Sequence, residues 1–519
     1  MKAFYAITAQ RERGCPQPQQ PQPAGTAETI PPTGCGCGQP RSTTGQLLIT
    51  VLAFAACLAG AAINARGVSL PEVSRLINDG HWKQAQREID LRLAQPGVDF
   101  RTREAWLFER DRMARIRVDF NKTREQVLRE ARAIVPSLTD EMFGRCEKAG
   151  ALEFIEIDGE RWFYDRAAGN MFRIHPEARA LKNKAGAVTK PYRLEDVRRI
   201  LAAYDQTTER FNTRKTSRIT YTVNVKPRAV PPGEIVRAWL PFPHSGARQR
   251  DIRLVSTDPL RYIQPGTTGT LTSVYLEKPA LANEPTRFEV CFEYTTTADY
   301  QPIAPEKVRP VSTNDAALAR YLAEQPPHVV FSDEIKKLSD EIIGNETNPY
   351  RKARRLFQWV YEHIPWAGAR EYSTLDSLPH YALSCRHGDC GIQTTLFMTL
   401  CRLNGIPAHW ETGWTTGPDK NMHDWCEIYL APYGWVPADV SYGLVNSEQE
   451  REKWFYLGGI DCDRLVVNTD QTQPLYPAKT FFRSEIIDFQ RGEVEWRGGN
   501  LYFNQWDWDF RVDEVKTNP

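Results

Sequence analysis

The sequence predicts an α+β protein of several units, on three observations. Between Ser217 and about Tyr300 the apolar residues alternate with a period of two, which is the signature of antiparallel strands. Upstream of that stretch the apolar residues recur at helical spacing. Beyond it a helix, a strand, a turn and a second strand follow one another, with a Cys at the helix start, a His opening the first strand and an Asp on the second.

Residues 1–45 are rich in Pro, Gln, Gly and Thr and are nearly empty of large apolar side chains, so they read as disordered low-complexity sequence. Leu47 to Ile63 then run without a charge between Arg41 and Arg66. Residues 46–66 read as a signal or membrane anchor. Ile63-Asn64-Ala65 is a poor cleavage site, and the apolar run is marginal for a bilayer span. Phe54-Ala55-Ala56-Cys57 also resembles a bacterial lipoprotein signal with Cys57 lipidated. In every one of these membrane-directed readings the bulk of the chain is exported, and association of the N-terminus with a membrane is expected; the remaining reading is a buried core helix.

Residues 67–210 form a helical part. Val73, Leu76 and Ile77 share one helix face, as do Ala85, Ile89 and Leu93, and Ser137-Leu138-Thr139-Asp140-Glu141 starts another helix. Phe154 to Tyr164 reads as a hairpin about Asp158-Gly159, an order that resembles a winged helix. Only Arg145 and Lys148 mark its second helix, so an interaction or spacer role is expected there. Residues 215–300 read as a β-sandwich, 301–331 as a Pro-rich linker, 332–445 as the unit that carries chemistry and 446–519 as a Trp-rich C-terminal β extension.

Composition narrows the function. A hydrophobic content of 41% and a charged content of 25% are those of a soluble globular protein, and a net charge of +1 gives no reason to expect nucleic acid as a partner. Of eleven cysteines, seven lie beyond the apolar run, an odd number in a chain too large to need disulfide staples. His380, Cys385 and His387 stand near Cys390 but fit no common zinc spacing, so neither metal nor cofactor is expected.

The helix from Asn348 to Ile364 has Ala353, Leu356, Phe357 and Val360 on one face, and Pro365 stops it. The next helix runs from Cys390 to Leu403, buries Leu396, Phe397, Leu400 and Leu403, and ends at Asn404-Gly405. Cys390 therefore sits in a first turn, where free backbone N–H groups favour a thiolate and can hold an oxyanion. Gly388 and Gly391 leave room for a substrate, and Asp389 is expected to cap the helix.

His423 opens the strand His423–Leu430, and Trp435–Val440 returns after Ala431-Pro432-Tyr433-Gly434. Pairing Leu430 with Trp435 would put Asp439 on the wrong face. Pairing Tyr429 with Trp435, or a bulge at Pro437, puts His423 and Asp439 on one face within hydrogen-bond reach. Cys390 is then a nucleophile, His423 its base and Asp439 the group that orients the imidazole. Trp425 is expected under the His or on a cleft wall, and Tyr442 at the cleft rim. His409, Cys401 and Cys426 are expected to be structural.

The blocks Gly388-Asp389-Cys390, Cys401-Arg402-Leu403-Asn404-Gly405-Ile406-Pro407-Ala408, His423-Asp424-Trp425 and Gly434-Trp435-Val436-Pro437-Ala438-Asp439 come in an order that resembles the bacterial transglutaminase-like family. The resemblance covers about a fifth of the chain. It implies a papain-like core, often preceded by a β-sandwich, and acyl transfer through a thioester on a peptide or protein substrate, glycan-linked or not. It also implies an aromatic oxyanion donor upstream of the Cys, for which Trp366 is the candidate. Asp439 is followed by Val440-Ser441 where the family more often has Pro. Hydrolysis is the expected outcome; an amine-accepting cross-linking enzyme and a non-catalytic peptide- or glycan-binding module are the alternatives.

Overall fold

Local signals set where the N-terminal elements begin. Asp99, Thr123 and Thr139 each accept a backbone N–H from three residues on, and so start the helices Phe100–Asp119, Arg124–Ile134 and Asp140–Lys148. Strands Phe154–Ile157 and Glu160–Tyr164 pair about Asp158 and Gly159, whose φ angles of 49° and 88° are those a two-residue hairpin turn needs. Phe120–Lys122 joins the other side of Glu160–Tyr164. Val127, Phe143, Cys146, Phe163 and Met171 form the core of this part. The computed structural model describes residues 69–184, 192–260, 262–263, 269–312, 315–471 and 474–515. Residues 1–45, the apolar run and Cys57 lie outside these. Among the described residues no helix is long and apolar enough to cross a membrane.

The alternating stretch builds two antiparallel sheets. In one, Thr286–Tyr300 lies between Phe211–Val225 and Gln249–Asp258. In the other, Ile235–Pro241 pairs with Ser273–Pro279. Both sheets are extended from the C-terminus. Trp506–Glu514 pairs along Phe211–Val225, and Glu493–Trp496 pairs along Ile235–Pro241. Open strand edges demand partners, so the segment beyond residue 446 is built into the sandwich rather than standing apart from it. Tyr221, Trp239, Phe288, Phe292 and Trp506 fill the space between the sheets.

The unit with the candidate chemistry sets three helices, Pro349–His363, Leu378–Cys385 and Cys390–Leu403, against a four-stranded antiparallel sheet. Its strand order is Gly434–Ala438, Asn421–Leu430, Ala408–Thr415, Arg464–Asn468. The last strand again comes from beyond residue 446. Leu356, Phe357, Leu396, Phe397, Leu400, Cys426 and Ile428 join helices to sheet in one core. On the opposite face Trp414, Leu465 and Val467 pack into the sandwich core, so the sheet is covered on both sides.

Candidate active site

Asp389 caps the cysteine helix through a hydrogen bond from the Ile392 N–H, and Asn404 with Gly405, at φ 73°, ends it. Cys390 is thus the first helical residue, and it is buried, at 9% exposure. The strands that follow pair with Tyr429 opposite Trp435 and Cys426 opposite Ala438. That is the expected Tyr429–Trp435 register, without a bulge at Pro437, and it brings Asp439 alongside His423.

His423 Nε2 lies 2.7 Å from Asp439 Oδ2, and both side chains are buried. The second oxygen of Asp439 accepts the Tyr442 N–H at 2.9 Å. Arg464 Nη1 donates to the same Oδ2 at 2.7 Å, while Nη2 of Arg464 donates to Asp461. Burial alone would raise the Asp439 pKa; His423 and the Arg464 guanidinium beside it outweigh burial and hold the carboxyl well below its usual range. Burial lowers the His423 pKa, against the pull of Asp439, so the imidazole is neutral near pH 7. Its Nδ1 has no hydrogen-bond partner among the described residues and is the nitrogen left for another group.

Cys390 is not bonded to that pair. Its thiol donates to Asp424 Oδ2 at 3.3 Å. Adjacent residues of a strand point to opposite faces. Asp424 looks toward the cysteine helix, whereas His423 stacks on Trp425 with its ring 5.9 Å away and meets the Tyr442 ring at 4.8 Å. The structure therefore joins His423 with Asp439 and gives the Cys390 thiol a hydrogen bond to the Asp424 carboxyl. Asp424 is in turn held by Gln490 Nε2, which donates to Oδ1 at 2.6 Å, and by the Tyr372 hydroxyl at 3.4 Å. Tyr372 also donates to Asp389 at 2.8 Å.

This surrounding reverses the expected state of the sulfur. Burial, and after it the carboxyls of Asp424 and Asp389, push the Cys390 thiol well above its ordinary pKa. Burial also lifts Asp389 to about 6 and Asp488 to about 6, and burial with the Asp488 carboxyl raises Asp424 above its ordinary range. These neighbours act against the N-terminal turn of the helix and favour the protonated thiol. The room at Gly391 is not open to a substrate either. A Cβ there would collide with the Tyr372 hydroxyl and lie 2.9 Å from Asp424 Oδ2.

The remaining candidates fall as follows. Trp366 runs beside Gly388 in a short parallel bridge, and the Arg173 guanidinium lies 4.4 Å over its ring. Trp425 is fully buried, donates its indole N–H to Glu411 and packs beside His423, so it is no cleft wall. Tyr442 is half-buried between Arg464 and Arg193, at 4.3 and 3.7 Å from its ring. His409 bonds to Glu427 at 2.9 Å, and Cys401 and Cys426 are buried in the core. Among the described residues no cluster of His, Cys, Asp and Glu could hold a metal ion.

Asp424, Tyr372, Gln490 and Arg464 were not singled out from the sequence. The one signal was at Asp424: a charged residue directly after His423, on a strand whose two faces are both buried, must have a polar partner on the far side.

A helix headed by a cysteine, packed on an antiparallel sheet whose strands pair an imidazole with a carboxylate, defines a papain-like thiol core. Residues 336–440 match the Transglutaminase-like superfamily, about a fifth of the chain. An uncharacterized protein of Haemophilus influenzae is 28% identical over 141 residues, 22% of this chain and 37% of that protein. The uncharacterized protein YebA of Bacillus subtilis is 28% identical over 175 residues, 30% of this chain and 21% of that one. The chain thus spans well under half the length of these curated relatives. Among solved structures, a candidate cysteine protease from Cytophaga hutchinsonii superposes with a TM-score of 0.39 at 17% identity, over 59% of this chain and 93% of that one. The periplasmic domain of TgpA from Pseudomonas aeruginosa superposes with a TM-score of 0.23 at 16% identity, over 43% and 88%.

Proposed function

We propose that the chain is an exported cysteine acyl-transfer enzyme that hydrolyses a peptide or amide bond, with Cys390 as nucleophile, His423 as base and Asp439 as the orienting group. The observation that carries this reading is the buried His423–Asp439 hydrogen bond through Nε2, which fixes the neutral ring and leaves Nδ1 for a thiol proton. In the reaction Cys390 Sγ bonds to the carbonyl carbon as its proton passes to His423. The amine then leaves with that proton, and water cleaves the thioester. The thiol must first leave Asp424, so substrate entry has to bring sulfur and imidazole together. Export rests on the uncharged run from Leu47 to Ile63.

One observation favours a second reading. A protonated thiol held by Asp424 suits a binding module that keeps the fold without turnover. Incubation of the whole chain with a peptide library, read by mass spectrometry, separates the two. Products formed by wild type and lost in both Cys390→Ala and His423→Ala support the enzyme, and their masses distinguish cleavage from cross-linking. Equal products from wild type and His423→Ala, or none from wild type, sink it.

A further inference from the structure

The sandwich sheet next to the core carries a concavity of about 340 Å³, lined by Glu209, Arg210, Phe211, Arg214, Arg250 and Thr297 with Ala247 at its rim. Its arginines differ in their engagement. Arg210 is committed, with its guanidinium on both oxygens of Asp299 and on the Trp435 carbonyl. Arg214 and Arg250 are exposed and have neither an ion-pair nor a hydrogen-bond partner among the described residues.

Strand geometry puts these two on one face of the sheet. Both flank the central strand Thr286–Tyr300, Arg214 opposite Thr297 and Arg250 opposite Thr295. Residues 295 and 297 share one face, so both arginines do as well. Each strand breaks its register at this point, between Phe211 and Arg214 on one side and between Arg250 and Arg253 on the other. Such bulges re-aim side chains. Two non-glycine residues beside the concavity, Thr208 at φ 54° and Asp251 at φ 54°, hold left-handed backbone conformations. Strain of this kind persists where surrounding structure enforces it, often at ligand clamps. At the floor, Thr297 is buried and its hydroxyl has no partner.

We propose that this concavity binds a small oxyanion, a carboxylate or phosphate group, with Arg214 and Arg250 as its clamp and the Phe211 ring against the body that carries the anion. Paired guanidinium groups match the geometry of such an anion and bind it through charge-assisted hydrogen bonds. Glu209 at the rim opposes it.

Isothermal titration of the whole chain with sodium phosphate, and separately with sodium glucuronate, tests this at an ionic strength held constant with sodium chloride. The expected result is saturable binding of at least one anion, and which one saturates decides between phosphate and carboxylate. In the Arg214→Ala/Arg250→Ala variant that affinity should fall at least about tenfold, and in Glu209→Gln it should rise. All three side chains are exposed, so the variants should melt as the wild type does. Absence of saturation with both anions, or a smaller loss in the double variant, overturns the proposal.

Discussion

Replacing Asp424 by Asn should release the Cys390 thiol. The sulfur lies 3.3 Å from Asp424 Oδ2. Two unit charges at that separation repel by about 5 kcal/mol at an effective dielectric of about 20. Thiolate and carboxylate therefore cannot coexist near neutral pH, and the thiol stays protonated. Asp424 is itself raised by burial and by Asp488, so its charge acts on the sulfur only once the carboxyl ionises; Asn never ionises, its amide can donate to the thiolate, and its oxygen can still accept from Gln490. Relief of only about 1.4 kcal/mol multiplies the thiolate fraction tenfold. Alkylation of the whole chain followed as pH is raised from neutral should thus show Cys390 reacting at least about tenfold faster in Asp424→Asn once the wild-type carboxyl is ionised, with the inflection of the rate moved to lower pH. Asp389→Asn should act in the same direction but less, because it was raised as the smaller of the two influences on the thiol. An unchanged or slower rate in a folded Asp424→Asn protein would refute the idea that this carboxyl sets the state of the sulfur.

Two further outcomes follow from buried charges. Arg464→Met leaves Asp439 and Asp461 buried without their shared cation, and urea denaturation should show a loss of about 3–5 kcal/mol. Burial, with the nearby Glu371 carboxylate, pushes Asp119 up to about 8, so the folded chain keeps a proton there that the unfolded chain gives up near pH 4. The stability this group contributes is full below about pH 4 and is lost as pH rises toward 8. Asp119→Asn does not titrate, so its melting temperature relative to wild type should climb between those pH values.

Much of the core was legible because its signals are local. The cap at Asp389, the stop at Asn404-Gly405 and the Asp158-Gly159 turn depend on neighbouring residues alone, and strand alternation narrowed the pairing to two arrangements, of which the structure has the Tyr429–Trp435 register. What stayed hidden depends on partners far along the chain. Gln490 reaches Asp424 across 66 positions, and Arg464 arrives at Asp439 on a strand from a segment without helical or motif spacing. The helix start at Cys390 suggested a thiolate, but a desolvated sulfur beside two carboxyls obeys the nearer and stronger effect. Hydrophobic pattern reports which face is buried. It says nothing of which polar group waits on that face.

These distant partners bear on how small a piece of the chain can hold the site. Residues 332–445 contain Cys390, His423 and Asp439, but they lack the strand Arg464–Asn468 that pairs with Ala408–Thr415. They also lack Arg464, so Asp439 would be buried with only a neutral imidazole beside it, and Gln490, which anchors Asp424. The loop ahead of Tyr372 is fixed from outside as well. Asn170 exchanges two hydrogen bonds with Gly368, at 2.7 and 2.9 Å, and Asp119 accepts the Glu371 N–H at 3.0 Å. Arg491 pairs with the Glu371 carboxylate. Each of these contacts positions Tyr372, and Tyr372 touches both carboxyls beside the sulfur. A chain cut to 332–445 should therefore show no cooperative unfolding in urea, whereas one spanning 69–515 should unfold with the helical part, sandwich and thiol core coupled. A sharp two-state transition in the short chain would mean that the buried carboxyls find partners within it, and the roles given to Arg464 and Gln490 would then be wrong.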